Sequence, residues 1–147
     1  MRSSFARLRG LLACAGLTLT LACGELKDLP TAPDDEGPPD PSATFTRVQR
    51  EIFTPTCTLI GCHDAQFPQS ELVLVEGQAY ANIVNRPSVG ANIPRITPGD
   101  PSRSYLYLKV TGAPSISGDR MPQGRPPLSE AELDLIRDWI RRGAPND

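Results

Sequence analysis

Cys57-Thr58-Leu59-Ile60-Gly61-Cys62-His63 is the stretch on which the reading of this chain turns. Two thiols are followed at once by an imidazole, the order in which a chain both fastens and ligates a c-type haem. In that chemistry the cysteine sulfurs add across the two vinyl groups of the porphyrin and pin the intervening peptide along one haem edge. The next residue is then held beneath the iron, where histidine supplies an axial nitrogen. The usual spacer is two residues, C-x-x-C-H, whereas four separate Cys57 from Cys62. A loop of that length must bulge away from the ring for both sulfurs to reach, and Gly61 offers the backbone freedom to do so. His63 is the single histidine of the 147 residues.

Two other readings use the same side chains. Cys57 and Cys62 can close a small disulfide loop in an oxidising compartment, leaving His63 as a surface residue of a non-haem interaction module. A zinc site from Cys57, Cys62, His63 and Asp64 is the poorer alternative, because four ligands so close along the chain hardly surround one tetrahedral ion.

Outward from this stretch, residues 1–22 have the marks of an export signal: a basic start at Arg2, Arg7 and Arg9, an apolar run from Leu11 to Leu21, and the small Ala22 before Cys23. The run is too short to span a bilayer as a mature helix. Leu21-Ala22-Cys23-Gly24 resembles a bacterial lipobox, with Thr20 where a leucine is usual; on that reading Cys23 is acylated and anchors the protein to a membrane. An ordinary cleaved signal with Cys23 an incidental thiol is the alternative. Both readings place the mature chain outside the cytoplasm, on the periplasmic side where c-type haem is attached, and Gly24 favours the outer membrane. With Cys14 leaving in the signal and Cys23 carrying lipid, only Cys57 and Cys62 remain of the four cysteines.

Residues 23–43 read as an acidic, proline-rich linker. Pro30, Pro33, Pro38, Pro39 and Pro41 alternate with Asp34, Asp35, Glu36 and Asp40, a composition that buries little apolar surface and favours extended conformations. About 20 residues at about 3 Å each would reach some 60 Å from a lipid surface. Residues 44–147 are enough for one domain. Aromatics are few and prolines many, so a buried haem would supply apolar volume that the side chains lack. Removing the three arginines of 1–22 from 15 basic residues leaves 12 against 17 acidic, a net charge of −5. Such a balance does not suit nucleic acid; it suits a basic docking patch on a redox partner protein.

The pattern predicts a mostly helical domain. Phe45, Val48 and Ile52 recur at helical spacing over about 44–53, and Thr54-Pro55 is expected to end that helix. Gly77–Val84 and the stretch after Asp100-Pro101, with Tyr105, Leu106 and Leu108, form two weaker helices. Leu72–Val75 reads as a short strand or as a loop covering a haem edge. Ser129 and Glu132 make a capping box for the last helix, Leu133, Ile136 and Ile140 form its stripe, and Gly143 and Pro145 close it. In cytochromes c the terminal helices cross, and that likeness makes Trp139 and Ile140 candidate contacts between the first and last helices; ordinary core packing suits them equally well. A second axial ligand cannot be histidine within one chain. Apart from Met1 the only methionine is Met121, 58 residues after His63 and in a proline- and glycine-rich loop; a thioether there would raise the reduction potential relative to two imidazoles. Without it, an open iron face would suit peroxidase-like or gas-binding chemistry.

These blocks together resemble a known family, the small cytochrome c-like domains of Planctomycetes, myxobacteria and related bacteria. The similar positions are Ile52-Phe53-Thr54-Pro55-x-Cys57, Cys62-His63, Ala79 to Asn85, Pro98-Gly99-Asp100-Pro101-x-x-Ser104-Tyr105-Leu106, Arg120-Met121-Pro122, and Pro127-Leu128-Ser129 leading into Ile136-Arg137-x-Trp139-Ile140-x-x-Gly143-Ala144. They cover about residues 45–145. The resemblance implies an all-α, loop-rich cytochrome c-like domain, one covalent haem c on Cys57 and Cys62, iron held by His63 and Met121, and single-electron transfer without catalysis. The wider cysteine spacing departs from the family pattern.

Overall fold

Helix α1 (Phe45–Val48) starts at Thr44, whose side chain accepts a hydrogen bond from the Arg47 N–H at 3.2 Å. In the computed structural model the described residues are 37–147; the expected export signal 1–22, the expected lipid site Cys23 and residues 24–36 of the expected linker lie outside them. The sequence predicts that Thr54-Pro55 ends this first helix. Instead the chain continues from α1 as a π-helix, Gln49–Cys57, with Pro55 inside it. Proline has no N–H to give and in an α-helix clashes with the carbonyl four residues back. In the wider π turn the bonds run to the carbonyl five residues back, as Thr58 N–H does to the Phe53 carbonyl at 3.1 Å. The helix therefore carries Cys57 on its last turn rather than stopping ahead of it.

Helix α2 (Ala79–Ile83) is shorter than the predicted Gly77–Val84, because Val84 is already extended. Asp100 caps a single 3₁₀ turn, Pro101–Arg103, by accepting from the Arg103 N–H. Helix α3 (Tyr105–Thr111) follows and ends at Gly112 with φ 73°. Helix α4 (Glu130–Arg141) shows the predicted capping box: the Ser129 hydroxyl accepts from the Glu132 N–H at 3.3 Å, and the Glu132 carboxylate accepts from the Ser129 N–H at 2.7 Å. Helical conformations make up 39% of the described residues, which include no strand. Two isolated bridges, Val84 with Ile96 and Pro87 with Pro94, are the nearest approach to one. Leu72–Val75 is a loop tied to the motif by Leu74 N–H on the His63 carbonyl at 2.9 Å.

The core explains the order of these elements. Val48, Ile52 and Phe53 of the first helix, Ile83 of α2, Ile96, and Ile136, Trp139 and Ile140 of α4 are all buried to 1% exposure or less. Phe45 meets Trp139 at a ring-centroid distance of 5.4 Å and Tyr80 at 5.2 Å, so the first and last helices do pack together. After α4 the chain turns at Gly143, φ 92°, and Pro145 and Ala144 offer their carbonyls to Trp139 Nε1 (2.9 Å) and the Tyr80 hydroxyl (3.0 Å). The composition of 37–43 reads as linker, yet these residues are fastened to α4. Asp40 N–H donates to Asp138 at 3.1 Å, Arg142 donates to the Ala43 carbonyl at 2.6 Å, and Ala43 is fully buried.

Candidate functional site

The wide spacer between the cysteines is taken up by a turn. Cys62 N–H donates to the Leu59 carbonyl at 2.9 Å, and Gly61 stands third in that four-residue turn with φ 79°, the conformation for which a type II turn needs glycine. The turn folds the extra residues outward and returns the chain, so that His63 N–H meets the Cys57 carbonyl at 3.1 Å. Asp64 braces the same loop by accepting from the N–H groups of Gly61 (2.6 Å), Gln66 (2.7 Å) and Phe67 (2.8 Å). Those bonds, the one from Phe67 foremost, hold its carboxyl below the usual range. Sequence reading used Asp64 only as a zinc ligand; its signal as a brace is the habit of aspartate to bond N–H groups two and three residues on.

The two thiols are unequal. Cys57 is half-buried against the core and Cys62 is exposed, and both are free thiols. Burial pushes the Cys57 thiol up to about 12, helped by the neighbouring Cys62 and Glu132 and opposed by Arg125. In the folded chain Cys57 is therefore protonated at neutral pH and a weak nucleophile.

The His63 ring is half-buried, and its Nδ1 is a buried atom with no hydrogen-bond partner. Burial lowers its pKa; the carbonyls of Leu72 and Gln69 pull the other way without satisfying Nδ1, and the charges of Arg95 and Lys109 add to the lowering. Arg95 donates to the carbonyls of Asn82 (2.9 Å), Ser70 (3.2 Å) and Glu71 (3.1 Å). It thus secures a turn in which Ser70 and Glu71 have φ of 56° and 55°. A lowered pKa favours the neutral imidazole, the form that coordinates a metal through one ring nitrogen while protein groups hold the other.

Met121 comes from a distant segment. It is half-buried against the same core as Cys57, and its N–H donates to the Lys109 carbonyl of α3 at 2.8 Å. Lys109 bonds the Met121 segment directly, and its charge is one of the smaller influences that lower the His63 pKa. Sequence reading did not single out Lys109, Arg95 or Asp64, because each acts through backbone groups that no motif records.

The donor set fits a covalently held haem: two thiols, a neutral imidazole with an orphaned nitrogen, and a thioether on the same body. The surroundings agree. Of the four large apolar side chains left exposed among the described residues, Leu59, Ile60 (92% exposed) and Phe67 (66% exposed) lie within four residues of His63. The zinc alternative fares worse, since no three His, Cys, Asp or Glu side chains converge as a metal site among the described residues. The clefts lie elsewhere. One of about 420 Å³ has Glu71, Arg86 and Arg95 in its walls, and one of about 560 Å³ has Phe45, Gln49 and Tyr80; neither includes Cys57, Cys62, His63 or Met121. No helix among the described residues is long and apolar enough to cross a membrane. Compared with family models, with curated proteins and with solved structures, the chain matches none.

Proposed function

We propose that this protein is a single-haem c-type cytochrome, exported and lipid-anchored through Cys23, that carries electrons outside the cytoplasm. The observation that carries the reading is the consecutive Cys62-His63 pair folded back on Cys57 by the His63 N–H on the Cys57 carbonyl. When bound, haem c supplies an iron that takes up and returns one electron at a time. Cys57 and Cys62 would hold the haem through thioether bonds, each formed by addition of S–H across a vinyl group, which needs no oxidant. His63 gives a neutral nitrogen and Met121 a thioether sulfur. Keeping both in place through each cycle limits reorganisation. Leu59, Ile60 and Phe67 surround the motif with apolar surface against which a redox partner docks, while the acidic charge outside that patch steers basic groups toward it.

The test is expression of the full chain in a bacterium competent for c-type attachment, followed by haem staining of the denatured protein and intact mass. One haem per chain, surviving denaturation, is expected. A colourless protein with Cys57 and Cys62 free, or joined in the disulfide of the rival interaction module, would falsify the proposal. A haem-loaded protein lacking the red absorption band of ferric iron bound to thioether would instead favour an open iron position and an enzyme or sensor.

A further inference from the structure

One face of α3 grips the loop that carries Met121. Tyr105 and Lys109 stand at i and i+4 on one stripe of α3, Gly112 ends the helix, and each meets the segment 113–121. The Tyr105 hydroxyl accepts from the Ser117 N–H at 3.0 Å. The Lys109 ammonium donates to the carbonyls of Ser117 at 2.9 Å and Asp119 at 2.5 Å, while the Lys109 carbonyl accepts from the Met121 N–H at 2.8 Å. At Gly112 the Arg120 side chain comes so near that an added Cβ would stand 2.8 Å from its Cδ. Lys109 thus holds the loop at both ends, by its side chain before Arg120 and by its backbone at Met121.

Residue choice points the same way. Only two of the 15 basic residues are lysines, Lys27 and Lys109. A compact ammonium with three rotatable donors can bond two converging carbonyls at short range where the planar fork of arginine fits less well.

We infer that Lys109 is a positioning residue for Met121: its ammonium ties down the carbonyls of Ser117 and Asp119 so that the thioether is presented in one place. The inference rests on the haem reading above. It predicts that removing the ammonium frees Met121 from the iron without affecting attachment at Cys57 and Cys62.

The experiment compares haem-loaded wild type, Lys109→Met and Lys109→Arg, together with wild type acetylated on its amines, which needs no variant to fold. Two readouts are used: brief trypsin digestion scored by mass for cleavage after Arg120, and the red ferric band with carbon monoxide binding by the reduced protein. Lys109→Met and the acetylated protein are expected to be cut after Arg120 about tenfold faster, to lose the red band and to bind carbon monoxide, with Lys109→Arg restoring part of each. Unchanged cleavage and an unchanged band in both ammonium-free forms, with haem attached, overturn the inference and leave the haem reading standing. A wild type with haem but no red band overturns the Met121 ligation itself, and with it this role for Lys109, even where cleavage still depends on the ammonium.

Discussion

His63 shows how much of a residue's chemistry is decided by what lies over it. Burial depresses its pKa in the folded chain, so the unfolded chain takes up the proton first and stability falls with acid. In haem-free protein the urea midpoint should hold above about pH 6.5 and decline as pH drops below that value toward the folded pKa. A His63→Gln variant should show a flatter profile over that window; equal slopes would show that the ring is not buried neutral. Gly61 carries a backbone cost instead. Its φ is 79° and an added Cβ would meet nothing within 4 Å, so Gly61→Ala should lose about 1 kcal/mol by strain alone in chemical denaturation. At the iron, Met121→Ala should keep covalent haem and shift the potential downward in a redox titration. The cysteine–histidine order was readable from the chain. The orphaned Nδ1 was not, because it depends on the Gln69–Leu72 segment closing over the ring.

At the scale of elements, α4 and the first helix make a contrast. Helix α4 is written in local chemistry: a reciprocal cap at Ser129 and Glu132, an apolar stripe, and a left-handed turn at Gly143. Ser129→Ala should therefore cost about 1 kcal/mol, read as a lower urea midpoint with unchanged slope. A change well below that would mean the cap is made good by solvent. The first helix defeated the local rule. Thr54-Pro55 is a stop signal for α geometry, but the π turn evades it and delivers Cys57 on helical backbone. Local preference lost there to the burial of Ile52 and Phe53, which holds the segment on the core whichever hydrogen-bond ladder it uses.

Trp139 links the parts of the whole molecule. It is fully buried, tilts against Phe45 of α1, and bonds the Pro145 carbonyl of the returning chain. Trp139→Ala should remove about 3–5 kcal/mol, or abolish the cooperative transition altogether; a loss under 1 kcal/mol would mean that the helix contact is dispensable. The sequence alone determined the helical class, the capped final helix, and which side chains could serve a haem, because those follow from spacing, caps and the chemistry of thiols and imidazole; the pairing of first and last helices was expected only from the family resemblance. Only the tertiary structure decided that residues 37–43 belong to the fold, that a turn at Leu59–Cys62 absorbs the wide spacer, that burial lowers the His63 pKa, and that Lys109 bonds the segment carrying Met121. Those features rest on carbonyls and charges brought together from distant parts of the chain, and solvent exclusion at such places is a property of packing that no local pattern encodes.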